Sequence, residues 1–209
     1  RKKVVEKAIK DNLDVVIFDD GLQDGNLNYD LKIVCFDSKN WVGNGYLIPS
    51  GPLREKIDSL KKYDIVFLKG ECLNKEQIVK LIKYQNPEIK IFQTYYEAVN
   101  LNKFNVKNNY LIFSGIGNPS NFRNTLIKNN FNIVDEIIFP DHYEYKKKDI
   151  DNIKFKAKKL NAKIITTEKD YVKLSEKDSE NIDFLEINLK IKNEVDLINF
   201  INPIINEKY

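Results

Sequence analysis

Methionine is absent from this chain, and its first residues, Arg1-Lys2-Lys3-Val4-Val5-Glu6, already read as the middle of a helix. Such an opening predicts a chain whose amino-terminal portion is missing. Cysteine is nearly absent: Cys35 lies in an apolar run, Cys72 follows a glycine turn, and no C-x-x-C spacing links them. That excludes a disulfide framework and predicts reduced, structural thiols of a cytoplasmic protein. No apolar run approaches the roughly 18 residues that a membrane-crossing helix needs, so the sequence shows neither such a helix nor a signal peptide. A dominant charge is lacking too. Thirty-four Lys and Arg face 31 Asp and Glu, a net charge of +3. This describes a solvated surface and argues against a nucleic-acid partner. No internal repeat is present, and there is one histidine and one tryptophan.

Hydrophobic residues make up 42% of the 209 positions, enough for a core. Length and pattern fit two α/β units. Val4, Val5, Ala8 and Ile9 recur at helical spacing and predict a helix over 2–11. The apolar run at 14–18 reads as a buried parallel strand ending at Asp19-Asp20-Gly21. Strands follow at 31–36, 65–68 and 89–96, with a helix at 75–84. A long loop at 38–52 carries Trp41, Gly43, Gly45 and Gly51, and Leu53-Arg54-Glu55 reads as the start of a helix behind Pro52. The polar stretch 98–108 suggests a connection. The second unit predicts strands at 110–113, 131–139, 163–166 and 184–191, and helices at 121–129, 149–160 and 194–205. The division places 1–97, joined by 190–209, in one domain and 98–189 in a smaller one.

Several places could carry chemistry. Two adjacent carboxylates, Asp19 and Asp20, repel unless a cation lies near, and a hydrated magnesium ion carrying nucleotide phosphates would satisfy them. The plain alternative is an acidic turn. The partner motif, a glycine-rich loop with Gly-Lys-Ser/Thr, is absent. Either the chain is no P-loop phosphotransferase, or that loop belongs to the missing portion. Arg54 could clamp a phosphate. Ser114-Gly115-Ile116-Gly117-Asn118-Pro119 is a strand-to-helix turn whose amides could hold an anion, or simply a turn capped by Asn118 or Ser120. His142, after Phe139-Pro140-Asp141, could move a proton near neutral pH. Thr166-Thr167-Glu168-Lys169-Asp170 reads as a helix cap, with Lys169 free to point into a cleft.

Taken in order, Asp19-Asp20-Gly21-Leu22-Gln23, Gly43-Asn44-Gly45, Leu47-Ile48-Pro49-Ser50-Gly51-Pro52-Leu53-Arg54-Glu55, Ser114 to Pro119, Phe139-Pro140-Asp141-His142 and Thr166 to Asp170 resemble the tetraacyldisaccharide 4′-kinase family. Each segment is weak alone; together they run over nearly the whole chain. The resemblance implies a P-loop-type α/β core of parallel sheet and flanking helices, here without its phosphate loop, plus a second, smaller α/β domain that helps hold adenine. It implies transfer of the ATP γ-phosphate to the 4′-hydroxyl of an acylated glucosamine disaccharide 1-phosphate, giving lipid IVA, at the cytoplasmic face of the bacterial inner membrane. Membrane contact would come through the missing amino-terminal part. Asp19 and Asp20 would be the Mg²⁺ carboxylates with Gln23 beside them, and Arg54 and Glu55 would face phosphates. Gly115, Asn118 and Thr167 are the expected nucleotide contacts of the second unit. His142 would be catalytic, acting across a domain cleft with an aspartate that precedes this chain. Asp24 departs from the family, which commonly has histidine there. Without the phosphate loop, residues 1–209 are expected to be inactive alone. The competing expectation is a self-contained, non-catalytic nucleotide- or sugar-phosphate-binding α/β module.

Overall fold

The computed structural model describes residues 1–70 and 74–206. Cys72 falls outside the described residues. The chain divides into two compact units, Arg1–Tyr95 with Leu189–Tyr209, and Tyr96–Asn188. Both are α/β. No helix among the described residues is long and apolar enough to cross a membrane.

In the first unit, β1 (Ile33–Asp37), β2 (Ile65–Lys69) and β3 (Lys90–Ala98) run parallel, and β8 (Ile187–Ile191) completes the order β1-β2-β3-β8. Side chains alternate across a strand, so β2 feeds two cores. Val66 and Leu68 pack with Leu60 of a 3₁₀ turn (Ile57–Lys62), with Ile78 and Ile82 of α2 (Lys75–Gln85), and with Ile89 just before β3. Ile65 and Phe67 face Phe92, Leu197 and Phe200 of α7 (Glu194–Asn206). The opening helix, α1, spans Lys2–Lys10.

Three expectations fail here. Residues 14–18 are not a strand: Val15 is 50% and Ile17 90% exposed, and no described segment pairs with them. An apolar, β-branched run becomes a strand only when a neighbour takes up its backbone groups. Leu53-Arg54-Glu55 does not open a helix. Leu53 N–H donates to Tyr46 O at 3.2 Å and Leu53 O accepts from Ile48 N–H at 2.8 Å, so this backbone closes the preceding loop and the 3₁₀ turn starts only at Ile57. Cys35 is exposed, not structural.

The second unit has the strand order β5-β4-β6-β7, all parallel: β4 (Asn109–Ser114), β5 (Asn132–Ile138), β6 (Ala162–Thr167) and β7 (Ile182–Leu185). Central β4 is buried from Tyr110 to Ser114. Tyr110 and Ile112 pack on Phe122 and Leu126 of α3 (Pro119–Lys128), while Leu111 and Phe113 pack on Ile150, Ile153 and Ala157 of α4 (Lys147–Lys159). Short helices α5 (Glu168–Tyr171) and α6 (Glu176–Ser179) precede β7. The single strand expected over 184–191 is two, broken at Glu186. Its N–H donates to Asn100 Oδ1 at 3.0 Å and its carbonyl accepts from Val99 N–H at 3.0 Å, which takes it out of both ladders.

Candidate functional site

In the first unit the acidic turn and the arginine loop meet. Asp19 and Asp20 stand on a turn, not at a strand end, and Asp20 itself takes φ of 52°. The Asp20 carboxylate pairs with the Arg54 guanidinium, 34 residues away, and this hydrogen bond holds its carboxyl below the usual range. Arg1 donates to the Asp20 carbonyl at 2.6 Å. Next to this pair, Gln23 Nε2 donates to Glu55 Oε1 at 3.1 Å. Although burial opposes it, hydrogen bonds from Tyr63, Gln23 and Ser59 keep Glu55 below the ordinary carboxylate range. Burial and Glu55 together push Tyr63 up to about 12. Asp19, Asp20, Gln23, Arg54, Glu55 and Tyr63 line one cavity of about 1340 Å³, with Trp41, Phe67 and Ile201 among its apolar walls. Lys69 and Asp37, at the carboxyl ends of β2 and β1, pair at 2.9 Å.

Asp19 forms no ion pair among the described residues, and none of those residues builds a cage of three or more acidic, cysteine or histidine side chains. A two-carboxylate donor set does not suit a dedicated protein cage. It does suit Mg²⁺, which keeps several waters and is held by one or two carboxylates together with phosphate oxygens.

In the second unit, consecutive connections leave β4 and β6 towards opposite sides of the sheet, β4 leading to β5 and β6 to β7. Ligands in open α/β sheets bind at such a switch point, beyond the carboxyl ends of the strands. Here those ends are Ser114-Gly115 and Thr167, so the structure brings Gly115 and Thr167 together. The link is Asp170, fully buried, which accepts from Gly115 N–H at 2.8 Å, from Thr167 Oγ1 at 2.8 Å and from Lys173 Nζ at 2.9 Å. Burial alone would raise its carboxyl, but these three donors hold it below the ordinary range. Gly115 is required by space: a Cβ there would lie 2.9 Å from Tyr145 Oη and 3.2 Å from Pro140 O. Asn118 caps α3, its side chain accepting from Asn121 N–H at 3.2 Å.

His142 lies on the same edge. Its N–H donates to Gly115 O at 3.2 Å, it takes φ of 59°, and its ring is exposed. Its Nε2 is 3.5 Å from Lys169 Nζ and 3.8 Å from Asp141 Oδ2. Sequence reasoning missed Tyr63 and Ser59, whose roles depend on a fold-level meeting with Glu55, and it took Asp170 for capping alone. Buried polarity was not legible there, because Asp170 sits in a stretch that reads as solvated: Glu168-Lys169-Asp170.

The family model described as tetraacyldisaccharide-1-P 4′-kinase matches residues 1–206. A tetraacyldisaccharide 4′-kinase of Pelagibacter ubique is 46% identical over 202 residues, covering 95% of this chain and 63% of the relative. That of Rickettsia canadensis is 42% identical over 182 residues, covering 86% of this chain and 54% of the relative. The crystal structure of LpxK from Aquifex aeolicus, described as in complex with ATP, superposes with a TM-score of 0.61 at 23% identity, over 89% of this chain and 56% of that one. It shares the fold. This chain therefore spans somewhat more than half the length of the relatives it matches.

Proposed function

The chain belongs to the tetraacyldisaccharide-1-P 4′-kinase family, and from that premise we propose that the protein transfers the γ-phosphate of ATP to the 4′-hydroxyl of a tetraacylated glucosamine disaccharide 1-phosphate, giving lipid IVA. The observation that carries the reading is the meeting of Asp20 with Arg54 and of Gln23 with Glu55 in one cavity, within a chain matched by that family from residue 1 to 206.

Phosphoryl transfer asks a protein mainly to position the reactants and stabilise charge. Asp19 and Asp20 would hold Mg²⁺, which when bound neutralises charge on the transferring phosphoryl group. Arg54 can exchange its contact with Asp20 for a bidentate contact to a phosphate, because the pair is exposed and its two charges separate into water at little cost. Glu55 is already tied to Gln23, Ser59 and Tyr63, so it fixes the segment from which Arg54 projects. In the second unit, the switch-point turn at Gly115 and Asn118, with Thr167 beside it, offers the nucleotide-binding edge. His142 takes the role of proton acceptor for the 4′-hydroxyl. Because ATP is water-soluble and the acceptor is a lipid, the reaction is assigned to the cytoplasmic face of the inner membrane.

The test uses the product of the complete reading frame that encodes this chain, with ATP, Mg²⁺ and the detergent-dispersed acceptor. Phosphate should appear at the 4′-position. His142→Ala should lower kcat by about 10²–10⁴-fold, with little change in acceptor KM, as expected for lost proton transfer. A wild-type rate in that variant would remove His142 from the chemistry, and absence of 4′-phosphorylation by the unaltered protein would overturn the reading.

A further inference from the structure

His142 stands in a backbone conformation that a residue with a Cβ does not favour. At φ of 59° it is in the left-handed region, and only its surroundings hold it there. The chain on both sides of it leads to one buried carboxylate. On the amino side, His142 N–H donates to Gly115 O at 3.2 Å, and Gly115 N–H donates to Asp170 Oδ2 at 2.8 Å. On the carboxyl side, Tyr143 O accepts from Lys173 Nζ at 3.4 Å, and the same ammonium donates to Asp170 Oδ1 at 2.9 Å. The turn that follows α5 brings Lys173 there, its N–H donating to Asp170 O at 3.2 Å. The Lys173 side chain is 25% exposed, and its Nζ lies 5.7 Å from the centre of the Tyr145 ring. A charge-assisted bond to a buried carboxylate and an aromatic face beside it restrict where that ammonium can go.

We propose that Lys173 is a positioning residue for His142. It bridges Asp170 to the Tyr143 carbonyl and so locks the turn on which the imidazole stands. The proposal rests on the proton-acceptor role given to His142 under the proposed function. Other contacts fix different parts of the same turn. The Tyr143 ring stacks on Phe139 at 4.8 Å, its hydroxyl donates to Asp149 Oδ2 at 3.1 Å, and Tyr143 N–H donates to Pro140 O at 3.2 Å. Lys173 answers the carbonyl. Lys169 has a different place: it approaches the His142 ring itself and pairs with exposed Asp141 at 3.7 Å, so it has no buried anchor from which to fix the backbone.

The first test reads the clamp without catalysis. In the 209-residue chain, amide exchange at His142 and Tyr143, followed by NMR, should be about two- to tenfold faster in Lys173→Met, the factor that one lost hydrogen bond supplies. Lys173→Arg, which keeps the cation and its donors, should restore slow exchange. Amides of central β4 should change less. Equal exchange at His142 and Tyr143 in wild type and Lys173→Met, or an equal rise throughout β4, overturns the clamp. The second test reads the chemistry in the complete gene product. Lys173→Met should lower kcat by about ten- to a hundredfold, the scale of a slightly misplaced catalytic group, with acceptor KM little changed. In a His142→Ala background the same substitution should cost nothing further, because it acts through the lost imidazole. Lys173→Arg should recover most of the rate. An unchanged kcat, or the same fold loss with and without His142, overturns the positioning role. Should Lys173→Met fail to fold, Lys173→Gln, which keeps a neutral donor, carries both tests with the same expectations. A turn that loosens as expected in a protein with no kinase activity upholds the clamp and rejects the kinase.

Discussion

Two aspartates, one in each unit, carry opposite physical roles. Asp20 is exposed and its carboxylate pairs with the exposed guanidinium of Arg54, while Arg1 holds its carbonyl. Asp170 is fully buried and answers three donors, one of them a backbone amide of the glycine turn. An exposed ion pair contributes little to stability because water screens it and two long side chains must be ordered to form it. A buried carboxylate that accepts from three donors is different: removing it leaves a backbone amide and a hydroxyl without that acceptor and leaves the Lys173 ammonium with Tyr143 O alone. The first arrangement leaves charge available to a ligand. The second spends charge on shape, fixing the edge on which His142, Gly115 and Thr167 stand.

The largest expected effect tests the buried member. Asp170→Ala should destabilise the second unit by about 3–5 kcal/mol, the usual cost of breaking a buried charged network. Thermal unfolding followed by circular dichroism measures it, and a loss no greater than that of a surface substitution would break the contrast. Gly115→Ala comes next, at about 1–3 kcal/mol, because the new methyl meets Tyr145 Oη and Pro140 O inside normal contact distance.

The pH response sharpens the same contrast. The folded carboxyl of Asp170 lies below its unfolded value, so its contribution is complete above the unfolded pKa of about 3.9 and is lost as pH falls through that value towards the folded one. Unfolding midpoints in denaturant should therefore decline in acid, and Asp170→Asn should flatten that decline. An equally steep decline in the variant would assign acid sensitivity to other carboxylates.

The smallest stability effect belongs to the exposed member. Asp20→Ala should lower the melting temperature only slightly, by the cost of placing alanine at a φ of 52°, while in the complete gene product kcat falls far more than acceptor binding, since charge stabilisation acts mainly in the transition state. Arg54→Lys should likewise fold normally and turn over more slowly, because an ammonium cannot reproduce a bidentate guanidinium contact. Wild-type turnover at saturating Mg²⁺ in Asp20→Ala would count against the metal role and reduce the Asp20–Arg54 pair to surface chemistry.

Elements set by short-range pattern were legible before any fold was known. The buried run Tyr110–Phe113, the helical spacing of Ile150, Ile153 and Ala157, and the caps Asn118 and Thr167 are all where local chemistry puts them. Each depends on neighbours within a few positions. Tertiary structure decided the rest. Residues 14–18 have the composition of a buried strand, yet strand formation needs hydrogen-bond partners from another segment, and no described segment supplies them. The run 184–191 looks continuous, but Asn100, 86 residues away from Glu186, captures its amide and splits it. The site follows the same logic. The residue types were legible one at a time, while the contacts that give them roles span 34 residues for Asp20 with Arg54, 32 for Gln23 with Glu55 and 55 for Gly115 with Asp170. Hydrophobic periodicity encodes which face of an element is buried. Which distant polar group waits on that face is fixed only when the elements pack, because an unpaired buried donor or acceptor is too costly to leave.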